Sequence, residues 1–302
     1  MSVIRKIGFW PVVSIVIGSQ IGSGIFMLPS SLAAYGGIGV LSWIVSGTAA
    51  ILLALIFSEL CRRYPKTGGP HAYVEVAFGR HAAFFTAWCY WVISWLSSAA
   101  VVVAAVGYFG SIFGGLSQSL NLVLEIGLLF IIMSVNLFGI RASGYTEFVF
   151  TLLKILPLLL LPFAALFFFK IDHFVPLNLS GFSTAHAIKT AALLTFWGFI
   201  GLEAATTPAG SIENPQKTVP RAIMLGTIIV ALIYFFSSGV IMGVIAPVEL
   251  QTSKAPFVDL ARFMFGGNWH IIIAIAASIV CVGTLNAWIL ASGQNCAGSS
   301  FR

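Results

Sequence analysis

The sequence predicts an all-α polytopic membrane protein that crosses the bilayer about eight times. Of its 302 residues, 59% are hydrophobic and only 8% are charged, whereas about a quarter of the residues in a soluble domain are charged. The apolar residues form runs of the ~20 residues that a helix needs to cross hydrocarbon. The basic residues lie mostly in the short segments between these runs, where membrane helices reach water.

Eight apolar runs meet the length requirement, and each predicts one transmembrane helix. The third run is longer than the bilayer needs, so its helix should be tilted or extend beyond the membrane. The loop "SKAPFVDLARFMFG" carries apolar residues at i, i+3, i+4 and i+7, which predicts a short surface helix or an ordinary connecting helix. The predicted spans are 9–33, 38–60, 83–113, 121–140, 146–169, 189–211, 221–246 and 269–293.

Lysine and arginine positions predict the orientation, because cytoplasmic loops accumulate basic residues. With the N-terminus inside, ten basic residues lie on the inner side and four on the outer side, so we expect a cytoplasmic N-terminus. The formal net charge of +6 therefore indicates topology and not a nucleic-acid partner. The inner residues are Arg5, Lys6, Arg62, Arg63, Lys66, Arg80, Arg141, Lys217, Arg221 and Arg302, and the outer ones are Lys170, Lys189, Lys254 and Arg262.

Cysteine and histidine positions argue against a metal site, a disulfide framework and an enzyme. The four cysteines are scattered and lack C-x-x-C spacing. The five histidines lie in loops or at span ends, without a metal-ligand or catalytic-triad spacing to Cys, Asp or Glu. We therefore expect no catalytic residues, no metal and no cofactor.

The first predicted span is interrupted by the stretch "GSQIGSGIFMLP". Gly22 and Gly24 each weaken a helix by ~1 kcal/mol relative to alanine, while Ser19, Gln20 and Ser23 offer polar groups to the freed backbone. Non-helical backbone survives at membrane depth only where protein or a polar cavity covers it. The N–H groups at the start of the following half-helix would attract an anion such as a carboxylate. Close helix packing through small residues is the alternative.

The sixth predicted span, "LLTFWGFIGLEAATTPAGSIENP", is interrupted in the same way. Gly198 and Gly201 lie mid-span, Glu203 is an ionisable residue in apolar sequence, and Pro208 follows. Paired interrupted helices in two halves of a chain indicate the central binding site of a transporter. The first and sixth spans are five helices apart, as an inverted five-plus-five repeat requires.

Four blocks of sequence resemble the amino acid, polyamine and organocation transporters, and within them the bacterial exchangers of the arginine/agmatine type. The order and spacing of these blocks match the family over nearly the whole chain. They are "GSGIFMLP", "YPKTGGPHAYVEVAFG", "FWGFIGLEAA" and "IENPQKTVPRAI".

The resemblance implies the leucine-transporter type of fold, in which two inverted five-helix repeats enclose a site at the bilayer midplane. Residues 1–170 would form the first repeat and residues 189–293 the first three helices of the second, within one transmembrane domain covering 1–302. The family has about twelve spans, and this sequence ends after the eighth. Residues 294–302 do not resemble the family, so an aberrant tail on a truncated or frameshifted product is an expectation from the sequence.

The resemblance also implies how a substrate would bind. Its carboxylate would lie on the N–H groups of the Gly22-Ser23-Gly24 break, and its ammonium on carbonyls of both interrupted spans. Trp197 matches an aromatic residue that closes over the substrate, and Trp288 matches one that contacts its side chain; packing or a lipid-facing position is the alternative for each. Ser98 stands where the exchangers have an amide, which weakens any assignment of arginine. The expected substrate-binding residues are Ser19, Gln20, Ile21, Gly22, Ser23, Gly24, Ser98, Trp197, Ile200, Gly201 and Trp288.

Two ionisable residues inside the spans are candidates for coupling and gating, because a charge at the bilayer centre is costly without a partner. Glu203 could bind and release a proton or attract a cationic substrate, with a structural hydrogen bond as the alternative. Lys154 could snorkel to the inner surface. The resemblance instead implies that its ammonium stands where sodium lies in sodium-coupled relatives, which predicts exchange or proton coupling.

The sequence thus predicts a secondary transporter for an amino acid or related amine in the inner membrane of a bacterium. A non-transporting remnant or partial subunit of such a transporter is the alternative, and a channel is a weaker one because no filter sequence is repeated. The expected partners are the substrate and the lipid bilayer, and a homodimer is one assembly that such a chain could form.

Overall fold

A computed structural model describes residues 6–113, 115–253, 255–266 and 268–300, with the side chains of 111, 270 and 294–300 left out. Within these residues the regular secondary structure is helical, and one isolated parallel bridge joins Ile7 to Ile212. The prediction of an all-α protein is therefore confirmed. The predicted aberrant tail, 294–302, falls outside the residues whose side chains are described.

Twelve α-helices follow one another along the described chain, joined by short loops and 3-10 turns. Their bounds are α1 Phe9–Gln20, α2 Gly24–Ala33, α3 Gly37–Arg63, α4 Pro70–Phe78, α5 Arg80–Ser111, α6 Gln118–Leu137, α7 Ile140–Ala165, α8 Thr184–Phe196, α9 Pro215–Val244, α10 Pro247–Thr252, α11 Pro256–Phe265 and α12 Trp269–Ser300.

The eight predicted spans correspond to helices that are long and apolar enough to cross a membrane. Seven are single candidates in the described residues, and the eighth is the pair α1 and α2, which bend by 45° at their junction. The third span is a helix of 31 described residues, about 46 Å at 1.5 Å per residue. It exceeds the ~30 Å hydrocarbon thickness, as its apolar run predicted. The chain is an integral membrane protein.

The interrupted first span lies between two groups of helices. On one side α3 packs against α8 and α9, and on the other α12 packs against α5 and α7. Helix α1 contacts α7, α9 and α12, and ten of its twelve residues are buried. The outer helices instead expose large apolar side chains such as Leu52, Ile56 and Phe130, as expected of surfaces that face lipid. The least lipid-exposed part of the fold is therefore the part that contains the first break.

The short helix predicted in the loop "SKAPFVDLARFMFG" is present as α11. Its residues Phe257, Leu260 and Ala261 are buried on one face, as the apolar spacing predicted. The Phe257 ring lies 4.8 Å from the ring of Phe26 on α2. Helix α11 therefore packs over the half-helix that follows the first break.

Candidate functional site

The first break lies between α1 and α2. Helix α1 ends at Gln20 because Ile21 is extended, with ψ 97°, and α2 begins at Gly24. In the described part of the chain, the N–H groups of residues 22–25 donate to no acceptor. A helix start leaves such donors without intrahelical partners, and four of them are present here.

The second break follows α8. The α-helix ends at Phe196, continues as a 3-10 turn over Trp197–Phe199, and becomes extended at Ile200, with ψ 133°. Gly201 has φ +106°, which side chains other than glycine rarely adopt. No α-helix resumes before Pro215, since residues 200–214, all described, hold only short 3-10 turns. Both interruptions that the sequence predicted are present.

The two breaks touch each other. The Ser19 hydroxyl donates to the Gly201 carbonyl at 2.8 Å, and a Cβ at Gly201 would lie 2.9 Å from the Ser19 carbonyl oxygen. Near the predicted cytoplasmic side, Ile7 N–H donates to the Ser211 carbonyl at 3.1 Å and Glu213 N–H to the Ile7 carbonyl at 3.0 Å. The first and sixth spans are therefore joined at two levels.

Gly201→Ala is expected to lower the free energy of unfolding by about 2 kcal/mol more than Gly139→Ala. Both glycines have a similar positive φ, +106° and +99°, so both variants incur the ~1 kcal/mol cost of that conformation. Only at Gly201 would the new methyl group meet backbone, since a Cβ at Gly139 has nothing within 4 Å and overpacking costs about 1–3 kcal/mol. Unfolding of both variants in detergent measures the difference in their free energies of unfolding. An equal decrease in the two variants would contradict the close approach of Gly201 to the Ser19 backbone.

A cavity of about 200 Å³ lies at the junction of the two breaks. Eight of the eleven predicted substrate-binding residues border it: Ser19, Gln20, Gly22, Ser23, Gly24, Trp197, Ile200 and Trp288. The carbonyls of Ser19, Gly22 and Ile200 accept no hydrogen bond within the described residues. The residues that border the cavity thus include both backbone donors and backbone acceptors without a protein partner.

The other three predicted residues lie behind the cavity wall. The Ile21 carbonyl accepts a hydrogen bond from the Thr284 hydroxyl at 2.8 Å, and Gly201 contacts Ser19 as described. The hydroxyl of Ser98 donates to the Ser94 carbonyl at 2.8 Å, and it is the neighbouring Ser97 that borders the cavity. The Gln20 carbonyl already accepts from the Tyr234 hydroxyl at 2.8 Å. Two of the carbonyls expected to receive an ammonium therefore have a protein donor.

Trp197 separates this cavity from a larger one of about 720 Å³, and both cavities are bordered by Trp197, Ser23 and Gly24. The larger cavity extends along Met27 of α2 and Leu193 of α8, toward the predicted outer side. The Trp197 ring lies against Gly24 so closely that a Cβ there would overlap it. The ring is thus placed where its movement would connect the two cavities.

Trp288 borders the cavity, and Glu203 is connected to it through Tyr90. Trp288 is only 6% exposed, so the lipid-facing alternative does not hold, and its ring packs 6.2 Å from that of Tyr90. The Tyr90 hydroxyl donates to Glu203 Oε1 at 3.2 Å, and Gly201 N–H donates to Glu203 Oε2 at 3.2 Å. The carboxylate is therefore linked to the turn that forms the second break.

Lys154 does not snorkel to the surface. It is fully buried, and its Nζ donates to the Gly18 carbonyl at 2.7 Å. It also lies 3.4 Å from Glu147 Oε1, an acid that sequence reasoning missed. The spacing of seven residues, which places Glu147 and Lys154 on one helix face, was the available signal.

Three further polar residues of the site were missed. Tyr234 and Thr284 anchor the carbonyls of the first break, and Asn286 contacts Glu147. Thr284 and Asn286 are polar residues within the apolar run "GTLNAWIL". A polar residue inside a predicted span was the one sequence signal that could have indicated a role for them. Their contacts depend on how α9 and α12 pack against α1, which one sequence does not reveal.

Comparison with known proteins gives the chain its family. A family model described as amino acid permease matches residues 7–295. The chain is 30% identical over 300 residues to a cadaverine/lysine antiporter of Escherichia coli K12, covering 97% of this chain and 66% of the relative. It is 31% identical over 289 residues to the putrescine transporter PotE of the same organism, covering 94% and 65%. The chain thus spans just under two thirds of the length of these relatives.

A solved structure shows the fold. The nucleobase-cation-symport-1 family transporter Mhp1, in a closed conformation with bromovinylhydantoin bound, matches with a TM-score of 0.69 at 13% identity, over 98% of this chain and 67% of that one. This likeness confirms the leucine-transporter type of fold. The relatives are named as transporters and not as enzymes, in agreement with the prediction from the sequence. The chain belongs to the amino acid permease family, within the amino acid, polyamine and organocation transporters.

Proposed function

We propose that the chain is a secondary transporter, an exchanger or proton-coupled permease, for a cationic amino acid or the related amine. The observation that carries the proposal is the distribution of free backbone groups around the central cavity. Four N–H groups at residues 22–25 and the carbonyls of Ser19, Gly22 and Ile200 have no partner in the described chain. Free donors and acceptors around one cavity suit a ligand with both a carboxylate and an ammonium.

The carboxylate would bind at the start of α2. The N–H groups there and the partial positive charge of the helix N-terminus favour an anion, and the Ser23 hydroxyl adds a donor. The α-ammonium would meet the carbonyls of Ser19, Gly22 and Ile200. The resemblance had implied carbonyls around Ser19, Gln20 and Ile21 and near Trp197 and Ile200. Those of Gln20, Ile21 and Trp197 already accept a hydrogen bond within the chain.

The substrate side chain would extend toward Trp288. An indole face attracts a cation by ~0.5–2 kcal/mol, and the Glu203 carboxylate behind Tyr90 contributes a negative charge. The relatives named above carry cadaverine, lysine and putrescine in their names, all of which are cationic. A cationic side chain is therefore the substrate feature we propose for this chain.

Exchange between two sides of the membrane would proceed by alternating access. Trp197 would gate the passage between the two cavities, and the joined first and sixth spans would move against α5, α7 and α12. The Lys154 ammonium on the Gly18 carbonyl would replace a bound cation at the first break. We therefore expect transport that does not need sodium.

A panel of labelled substrates in proteoliposomes tests this proposal. Uptake of lysine, ornithine, arginine, cadaverine and putrescine should exceed that of neutral and acidic amino acids at least about tenfold, a difference of ~1.4 kcal/mol. Preloading with unlabelled substrate should accelerate uptake if the chain exchanges. Replacing sodium by choline should leave the rate unchanged, and a steep sodium dependence would contradict the role of Lys154.

A full-length relative reconstituted in parallel serves as the control. Transport by the relative and none by this chain, together with no binding of any substrate in the panel, would contradict the proposal. That outcome would favour the alternative of a non-transporting partial subunit. The cytoplasmic N-terminus and the homodimer remain predictions, which cysteine labelling from each side of the membrane and cross-linking would test.

A further inference from the structure

A side cavity of about 350 Å³ lies at α11, on the predicted outer side of the chain. It is bordered by α2, α5, α11 and α12, and it shares Met27 and Tyr108 with the larger cavity described above. That larger cavity in turn shares Ser23, Gly24 and Trp197 with the central one. The three cavities are therefore neighbours in a row that leads from α11 to the two breaks.

Two charged side chains border the side cavity. Asp259 and Arg262 lie about one turn apart on α11, with 3.8 Å between Asp259 Oδ1 and Arg262 Nη1. Among the described residues that border the larger cavity and the central cavity, none is charged. The side cavity is therefore the one of the three that is bordered by both a positive and a negative side chain.

The two charged groups interact only loosely with each other. Their separation of 3.8 Å exceeds the length of about 2.7–3.2 Å that a hydrogen bond requires. Their side chains are 57% and 40% exposed, and exposed ion pairs contribute little to stability. The Ser253 hydroxyl donates to Asp259 Oδ2 and so positions the carboxylate. A ligand can therefore bind between the two charges without displacing a strong interaction.

The remaining residues around the side cavity are mostly apolar. Phe26 of α2 and Phe257 of α11 border it with 4.8 Å between their ring centroids. Ile273, Ala274 and Ala277 border it from α12. A small-molecule site is usually an apolar concave surface with a few polar groups that fix the orientation of the ligand. Here those polar groups include one cation and one anion, which suits a ligand with two opposite charges and an apolar part.

We propose that the side cavity is a second binding site for α-amino acids, which recognises their zwitterionic head group and does not require a charged side chain. The Arg262 guanidinium would bind the α-carboxylate, since its planar set of donors matches a carboxylate. The Asp259 carboxylate would accept hydrogen bonds from the α-ammonium. An aliphatic side chain of the ligand would pack against the apolar residues of α2 and α12.

This inference goes beyond the proposed function, and only its part in transport rests on that function. A diamine has no carboxylate for Arg262 to bind, so the side cavity would retain an amino acid and not the related amine. In an exchanger of these two classes of substrate, the side cavity would favour entry of the amino acid on the side of the membrane where α11 lies.

Equilibrium binding of labelled leucine to the purified full chain in detergent tests this inference without requiring transport. Leucine carries both charges of the head group on an apolar side chain. Arg262→Gln and Asp259→Asn are each expected to weaken leucine binding at least ~10-fold, because each removes one charge-assisted contact. Asparagine keeps an acceptor for Ser253, and Arg262→Lys keeps the positive charge and should recover part of the binding lost in Arg262→Gln.

Asp172→Asn is the matched control. Asp172 is an exposed acid of the same predicted side, and it borders neither the side cavity nor the larger one. This variant should bind leucine like the unaltered chain, at a similar unfolding midpoint.

Competing ligands test the requirement for both charges. Unlabelled lysine and norleucine share the head group and should displace leucine. Cadaverine carries only ammonium groups and hexanoate only a carboxylate, so each should compete at least ~10-fold more weakly.

Three outcomes would overturn the proposal. They are no binding of leucine, equal leucine affinity in Arg262→Gln, Asp259→Asn and the unaltered chain, and equal competition by cadaverine or hexanoate. Loss of leucine binding in Gly24→Leu but not in Arg262→Gln would place leucine in the central cavity and also contradict it. Failure of the proposed transport function is detected separately, because that function concerns uptake of cationic substrates in proteoliposomes and leucine binding depends on neither.

Discussion

Replacing Gly24 with leucine is expected to weaken substrate binding at least ~100-fold while the chain still folds. A side chain at Gly24 would overlap the Trp197 ring and cover the N–H groups at the start of α2. Hydrogen bonds to a charged group contribute about 1.5–3 kcal/mol each, and the loss of one or two of them corresponds to a factor of ~100. Trp197 is 59% exposed, so its ring can turn away without a large effect on stability.

Gly127→Leu is the matched control for this variant. Gly127 is also a helical glycine, but a Cβ there has nothing within 4 Å, and α6 borders neither cavity. Binding of labelled lysine to the purified chain should be unchanged in Gly127→Leu and lost in Gly24→Leu, at similar unfolding midpoints. Unchanged affinity in Gly24→Leu would remove the first break from the substrate site.

Replacing Glu203 with glutamine is expected to lower affinity for cationic substrates at least ~10-fold and to leave neutral amino acids little affected. Glutamine has nearly the shape of glutamate but carries no charge, so the substitution removes only the negative charge. A tenfold loss of affinity corresponds to ~1.4 kcal/mol. That energy is what a unit charge contributes at ~12 Å for an effective dielectric constant of ~20. The variant should also lose any dependence of transport on pH that arises from this carboxyl.

Glu59→Gln controls for the loss of a carboxylate. Glu59 lies at the end of α3 and pairs with the exposed Arg62 and Arg63 at 3.0 and 2.6 Å, far along the chain from the residues that border the cavity. Substrate preference and pH dependence should be the same in Glu59→Gln and the unaltered chain. If Glu203→Gln also keeps both, Glu203 has only the structural role of holding the Gly201 turn.

The spans and the two breaks could be predicted because each depends on local composition. A run of ~20 apolar residues is sufficient for a membrane helix, so the eight spans agree with the structure. The triplet Gly22-Ser23-Gly24 weakens the helix by itself, and α1 does end at Gln20. Likewise Gly201 adopts a positive φ that only glycine accepts readily.

The partners of the buried charges could not be predicted in the same way. Lys154 was recognised as unusual, but its position at the Gly18 carbonyl depends on how α7 packs against α1. Glu147 is the second residue of the predicted span 146–169, where an acid would need no buried partner. The structure places it within α7, which begins at Ile140, so it lies about one and a half turns further inside a helix than the predicted span start suggested.

The sequence by itself determined that this protein crosses the membrane with helices, that two of them are interrupted, and that the interruptions are five spans apart. Those features follow from residue type and spacing, which act over a few turns of helix. Only the tertiary structure decided which backbone groups at the breaks remain free around the cavity and which are taken by Tyr234, Thr284 and Lys154. The reason is that a hydrogen bond between two spans needs atoms within about 3 Å, and packing of distant segments alone creates that proximity.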